Sequence, residues 1–479
     1  MNCMAGSYWG QVRLQNMPHA LLESLPPAAS CDHFVQVLQL LGRSHVKAVV
    51  LDDDPTGTQT VYGLDVLADW GVEALAAALA APGPVFYILT NSRSMSGPRA
   101  ASVNREIVAN LRKAAELVGT EFVLVSRSDS TLRGHFAVEV GALRQALGTP
   151  VDGVIVIPAF FEGGRYTVDD VHYVAEGELL VPAAQTEFAR DTTFGYVKSN
   201  LREWIEEKTG GEVRSGDVAS LGIEALRARD AEQRVLGRLK SLPKGGYLVV
   251  NAASYADVDA FVHGLLLAEA EGRRYILRTA ASFVRVRAGL VARPVLSAGD
   301  YSESVPGGGL VVAGSYTKKT TSQIESLLVL PNTAAIEVQV DRLAAEPSRA
   351  AEVARASRLA RDAMKSGLHA VVFTSRRLET ALGRAGDLSA GEIVSGALVS
   401  IVRSVETQPR FMIAKGGITS SDIATRGLGM RRARVLGQAA PGVPVWLMGQ
   451  ETRFPGMKYV VWPGNVGSPD ALRDVVRAV

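Results

Sequence analysis

Short runs rich in Val, Ile and Leu alternate along the chain with longer stretches of helical character. The runs at 46–51, 85–90, 122–125 and 151–157 predict buried strands, and each ends in polar residues. The Ala/Leu-rich stretch 72–81 and the amphipathic stretch 100–118 predict helices between them. The alternation starts afresh further on, with strands predicted at 310–313, 335–340, 370–374 and 411–414 and helices at 320–330, 350–365 and 391–405. Strands alternating with helices predict an α/β fold: two α/β domains with mainly parallel or mixed sheets.

In open α/β sheets ligands collect at the carboxyl ends of strands. The polar clusters at 52–57, 91–93, 127–135 and 158–165 therefore read as one composite site. Pro306 followed by Gly307-Gly308-Gly309 reads as a linker. The expected division is an N-terminal extension at 1–45, a ligand domain at 46–306 and a second domain at 307–479.

Composition narrows the function. The 479 residues are 47% hydrophobic and 21% charged, with a net charge of +2, and no apolar run is long enough for a membrane span. A near-neutral chain argues against a nucleic-acid or membrane partner, so the basic residues that matter are expected to be local anion binders. Two cysteines, Cys3 and Cys31, exclude a disulfide framework and suit a reducing cytoplasm. Residues 1–28 lack the pattern of a secretory signal. The histidines are scattered, with no H-x-x-x-H spacing, and no dedicated metal motif is visible.

Several clusters could carry chemistry. Asp52-Asp53-Asp54 closes a strand and runs into Pro55-Thr56-Gly57. Three adjacent acids are costly to bury without cations or donors, so they read as a base and a hydroxyl acceptor; the ordinary alternative is an acidic solvated turn. Arg127-Ser128-Asp129-Ser130-Thr131-Leu132-Arg133-Gly134-His135 surrounds one acid with two arginines and several hydroxyls. Arginine pairs bidentately with carboxylates, so this segment suits an acidic polyol; the alternative is a helix N-cap at Ser130 or Thr131. Gly163-Gly164-Arg165 adds a close backbone approach and another cation.

In the second half, Lys415-Gly416-Gly417-Ile418-Thr419 follows a strand, and Thr419-x-x-Asp422 has the form of a capping box. Gly314-Ser315-Tyr316-Thr317 and Pro463-Gly464-Asn465-Val466-Gly467 are two further glycine turns after strands. Free N–H groups in such turns suit phosphate. The P-loop, the dinucleotide fingerprint and the protein-kinase signatures are all missing.

Taken together, these motifs resemble the four-carbon acid sugar kinase family. Its D-D-x-T-G is similar to Asp53-Asp54-Pro55-Thr56-Gly57, and its K-x-D-S-T-L-R-G-N to residues 127–135. Its P-A-F-P-x-x-G-R-x-T resembles 158–167, and its V-P-x-x-x-T-x-F-x-x-D resembles Val181-Pro182 through Thr186, Phe188 and Asp191. The resemblance covers about residues 46–479. It implies an active site in the cleft between two domains and ATP-dependent phosphorylation of threonate, erythronate or 3-oxotetronate at the terminal hydroxyl. On this reading Asp53 or Asp54 is the base. Thr56, Asn91, Arg93, Arg127, Asp129, Ser130, Arg133 and Arg165 bind the acid. Gly314, Ser315, Gly416, Gly417, Ile418, Thr419, Gly464, Asn465 and Gly467 hold the nucleotide. ATP and Mg²⁺ are the implied cofactors, the cytoplasm the compartment, and a homodimer the default assembly.

Two other readings compete. Asp52-x-Asp54-x-Thr56 after a hydrophobic strand also fits the first motif of haloacid-dehalogenase-type phosphatases, with Asp52 as nucleophile and Asp54 as acid/base. A non-catalytic sugar-acid-binding protein would keep the acid site without turnover.

Overall fold

In the computed structural model, residues 16–28, 32–301, 305–315, 317–375, 379–380, 383–384, 388–464 and 466–479 are described. Cys3, Cys31, Tyr316 and Asn465 lie outside them. The chain forms two units, Met1–Asp53 with Trp70–Val291, and Asp54–Asp69 with Ala292–Val479. The α/β class holds in both.

Strands are numbered along the chain. In the first unit they are β1 (Met17–Pro18), β2 (Lys47–Asp52), β4 (Val85–Leu89), β5 (Phe122–Arg127), β6 (Gly153–Ile157), β7 (Arg165–Val168), β8 (Val171–Glu176), β9 (Leu179–Pro182), β10 (Ala219–Leu221), β11 (Gly246–Val250) and β12 (Tyr275–Thr279); β3 (Asp65–Leu67) belongs to the second unit. The main sheet of the first unit is parallel throughout, in the order β10-β11-β6-β12-β5-β2-β4. Strands covered by helices on both faces need apolar side chains at successive positions, and Ala48-Val49-Val50-Leu51 is buried at every one. A second, antiparallel sheet, β1-β9-β8-β7, carries the turns that follow β6.

The described part of the expected extension, residues 16–28 and 32–45, is built into the first unit. Met17 pairs with Leu180 in the antiparallel sheet. Helix α1 (His33–Arg43), capped by Asp32, whose side chain accepts from Val35 N at 3.2 Å, belongs to the first unit's helical layer. The other helices used below are α2 (Phe136–Leu147), α3 (Ala231–Lys240) and α4 (Tyr255–Ala270).

The second unit comprises β3, β13 (Leu310–Ala313), β14 (Thr333–Val338), β15 (His369–Thr374), the short hairpin β16 (Glu379–Thr380) and β17 (Gly383–Arg384), β18 (Met412–Lys415), β19 (Arg432–Ala440), β20 (Val443–Met448) and β21 (Lys458–Trp462). Its sheet is mixed. The run β3-β19-β20-β21 is antiparallel, and β21-β18-β13-β15-β14 is parallel. Trp462, Phe411, Val311, Val443, Val445 and Val460 belong to its core.

Two boundaries differ from expectation. Residues 54–69 leave the ligand domain because they are bound into the second unit. Val66 pairs with Ala433, and Trp446 Nε1 donates to Thr58 Oγ1 at 2.9 Å. The glycine triplet is packed, not a free linker. A Cβ on Gly308 would lie 1.7 Å from Leu368 O, and one on Gly309 2.2 Å from the Phe411 ring. These glycines let β13 enter the sheet, and the unit begins earlier, at Ala292.

Candidate active site

The three acids of the 52–54 run have three different surroundings. The parallel register of β2 and β5 sets Asp52 beside Arg127, and Arg127 Nη1 lies 3.2 Å from Asp52 Oδ1 with both side chains buried. A buried carboxylate demands such a partner. Arg127, expected to hold the substrate, is instead engaged with Asp52. Asp52, the nucleophile of the phosphatase reading, is the acid so paired.

Asp53 is the last residue before the chain enters the second unit. Its Oδ2 accepts from Ser128 Oγ at 2.5 Å, whereas its buried Oδ1 accepts no hydrogen bond. Burial raises the carboxyl above its ordinary range; Arg93 opposes the shift, Glu139 adds to it, and Arg278 and Arg127 oppose it. Ser128 is held in turn by Arg278, whose Nη2 donates to Ser128 Oγ at 2.7 Å. Arg278 Nη1 reaches Ser126 Oγ at 2.8 Å and Glu139 Oε2 at 2.5 Å, and Ser92 Oγ donates to Glu139 Oε1 at 2.5 Å. Gly134, at φ 122°, is what lets the loop lie over this group: a Cβ there would be 2.8 Å from Ser128 Oγ and 3.0 Å from Asp53 Oδ2. Sequence reasoning missed Arg278 and Glu139. The available signal was an arginine at the polar end of the apolar run 275–279, on a strand (β12) adjacent to β5.

The second cluster gathers arginines. Arg133 Nε donates to Asp129 Oδ2 at 2.6 Å, and Arg93 Nη1 lies 3.7 Å from Asp129 Oδ1. Burial works against the Asp129 charge, but Arg133, Arg93 and the Thr131 hydroxyl outweigh it and hold the carboxyl far below its usual range. Arg133 and Arg165 both lie against the Phe188 ring, 5.1 and 5.8 Å from its centroid. Arg165 Nε is buried and makes no hydrogen bond. The Arg133 guanidinium also reaches Asp191 at 3.7 Å. Positive charge gathers here with a donor left over, which suits an anionic ligand. Asp129 fixes the guanidiniums.

The loop bearing these residues does not form a helix N-cap at Ser130 or Thr131, because α2 starts only at Phe136 after His135. It is pinned from outside. His172 Nε2 meets Ser130 O at 2.7 Å and Nδ1 meets Thr167 Oγ1 at 3.0 Å, while Tyr196 Oη donates to Thr131 O at 2.7 Å. Burial lowers the His172 pKa to about 4, so the ring is neutral and its ring N–H and lone pair can serve these two contacts. Ser130 thus serves through its carbonyl. Asn91, in the left-handed region at φ 52°, likewise turns the chain, its carbonyl accepting from Ser94 N at 3.1 Å. Thr56 stands in the second unit, donating through its hydroxyl to Asp54 Oδ1 at 2.5 Å.

In the second unit three glycine turns stand side by side. The register pairs Ala313 with Lys415 and Lys415 with Trp462, so β13, β18 and β21 end at one level. A Cβ on Gly314 would come 2.3 Å from Thr419 Oγ1, and one on Gly464 3.1 Å from Ser315 Oγ. The Thr317 and Thr320 hydroxyls donate to Gly464 O at 3.1 and 3.2 Å. Gly467 takes φ 90°, and Gln323 Nε2 supports its loop through Val466 O at 3.0 Å. Ile418 is an exposed apolar residue at the turn. Lys415, part of the quoted motif but given no role from sequence, is fully buried, with Nζ 3.1 Å from Pro463 O.

The Thr419–Asp422 capping box does not form. The helix there (α5, Gly417–Asp422) starts earlier, with Gly416 as N-cap at φ 110°. Asp422 binds Ser395 Oγ and Arg426 instead. The shift puts Gly416 and Gly417 themselves at the helix start. Asp54 lies there too: a Cβ on Gly417 would be 2.2 Å from its Oδ2.

An anion-gripping cluster at strand ends in one α/β unit and aligned glycine turns in another are the parts of a two-unit small-molecule kinase. A sugar-binding N-terminal domain matches residues 48–287, and a nucleotide-binding C-terminal domain matches 310–472. The chain belongs to the four-carbon acid sugar kinase family. It is 27% identical over 456 residues to the D-threonate kinase of Salmonella typhimurium, covering 90% of this chain and 98% of that one. It is 26% identical over 369 residues to the 3-oxo-tetronate kinase of Cupriavidus necator, covering 74% and 78%. It is 27% identical to the D-erythronate kinase of Heliobacterium modesticaldum over 277 residues, 57% of each chain. The fold matches a Salmonella typhimurium protein described as a tRNA synthase, with TM-score 0.63, 17% identity and coverage of 89% of this chain and 98% of that one. Among the described residues no helix is long and apolar enough to cross a membrane.

Proposed function

We propose that this kinase transfers the γ-phosphoryl group of ATP to the terminal hydroxyl of a four-carbon sugar acid of the threonate, erythronate or 3-oxotetronate kind. The observation that carries the acid-binding half is the grouping of Arg93 and Arg133 about the carboxylate of Asp129, with Arg165 sharing the Phe188 ring with Arg133 and its Nε left without a partner. Relatives named for these three acids support the substrate class.

Phosphoryl transfer needs positioning and charge stabilisation more than covalent help. Arg133 and Arg165 would take the substrate carboxylate, with Phe188 as their platform. Asp53 is the preferred base. Its Oδ1 is free to accept the hydroxyl proton, and burial brings its carboxyl closer to the operating pH. As that proton passes to Asp53, the hydroxyl oxygen bonds to the γ-phosphorus and the bond to the β–γ bridging oxygen breaks, leaving ADP. The turns at Gly314–Ser315, Gly416–Thr419 and Gly464–Gly467 would cradle the nucleotide. Mg²⁺ would neutralise phosphate charge, and Asp54, among those turns, is the carboxylate suited to its hydrated shell.

The test is ADP release with Mg²⁺-ATP against D- and L-threonate, the erythronates and 3-oxotetronate, alongside direct nucleotide binding. Acid-dependent release identifies the substrate. Nucleotide binding without release for any acid moves the acceptor outside this class. Absence of nucleotide binding rejects the reading and leaves a sugar-acid-binding protein.

A further inference from the structure

Away from both clusters, three helices of the first unit bring together side chains distant in sequence. His33 opens α1, Glu232 lies in the first turn of α3, and His263 is midway along α4. One donor atom from each lies within 4.8 Å of the others. The two imidazoles meet at 3.0 Å, Nδ1 to Nδ1, and both are buried. Glu232 Oε2 is buried and accepts no hydrogen bond.

A hydrogen bond between the histidines accounts for only part of this. It uses one proton on one nitrogen and leaves the Glu232 oxygen unsatisfied, a cost of about 1–3 kcal/mol for a buried acceptor. A cation at the common centre would satisfy all three groups. Two nitrogens bound tetrahedrally at about 2.0–2.1 Å stand about 3.3 Å apart, close to the separation seen. Two imidazoles and a carboxylate are donors suited to zinc or a neighbouring borderline metal rather than to Mg²⁺ or Ca²⁺, which favour all-oxygen shells.

We propose that His33, Glu232 and His263 form a divalent transition-metal site, with Zn²⁺ as its fitting occupant. A metal there ties α1 to α3 and α4. The site has no part in the proposed phosphoryl transfer, so its test is optical and thermal. Chelator-treated full-length protein is titrated with Co²⁺ alone, then with Zn²⁺ in competition. The expected result is visible ligand-field bands saturating at one equivalent, displaced by Zn²⁺, with the thermal midpoint raised by either metal. Glu232→Gln, a partly exposed and near-isosteric change, should weaken Co²⁺ binding at least tenfold, and His263→Asn should abolish the bands. Absence of bands in the wild type, or bands unchanged in Glu232→Gln, overturns the proposal even if His263→Asn does not fold.

Discussion

The carboxylate of Asp54 rests against the Cα of Gly417, so closely that a β-carbon there would lie 2.2 Å from Oδ2 and 3.0 Å from the carboxyl carbon. This contact joins Asp54 to the helix start among the glycine turns, both within the second unit. Gly417→Ala must therefore displace Asp54 or the turn. A displacement of about 1 Å near the reacting groups costs on the order of 10²-fold in rate. The expected outcome is a loss of that order in kcat/KM for ATP with the circular dichroism spectrum retained.

Asp53→Asn removes the proposed base and leaves the arginine cluster intact. A general base contributes roughly 10²–10⁴-fold. The loss should fall on kcat, with the nucleotide dissociation constant nearly unchanged. If Asp54→Asn instead removes turnover while Asp53→Asn retains it, the roles of the two acids are reversed.

The same substitution has a stability consequence. The folded-state carboxyl of Asp53 is raised, so over the interval above the unfolded value the folded state holds the extra proton. Stability from this group therefore falls as pH rises through that interval. Asp53→Asn should raise the thermal midpoint at neutral pH, and the gain should shrink as pH falls toward the ordinary aspartate range.

His172 gives the opposite slope. Burial lowers it from 6.5 to about 4, so between those values the unfolded chain takes up a proton that the folded protein does not. Its stabilising contribution is complete above about pH 6.5 and is lost as pH falls toward 4. Thermal midpoints across this range should show a smaller acid loss in His172→Asn than in wild type.

Arg133→Ala and Arg165→Ala should each raise KM for the sugar acid by roughly 10- to 100-fold, the worth of a hydrogen bond to a charged group at about 1.5–3 kcal/mol. KM for ATP should hold. Arg127→Ala is expected to lower the thermal midpoint instead, because it leaves Asp52 buried without its partner.

The sequence by itself determined the layering and the chemical vocabulary. Hydrophobic runs ending in polar clusters located the strands that bear the site, because strands buried on both faces must be continuously apolar and their ligand groups collect where they end. The motif strings located the glycine turns and the arginines that gather near Asp129. Only the tertiary structure decided how like residues divide their work. Asp52, Asp53 and Asp54 are equivalent as letters, yet register gives Arg127 to the first, and loop packing gives a serine and an open oxygen to the second and the glycine turn at Gly417 to the third. Arg278, Glu139, and the pair His33 and His263 are joined across long sequence separations by strand order and helix packing, which local periodicity does not encode. The glycine triplet reads as slack in one dimension, but in three it is the space that Leu368 and Phe411 require.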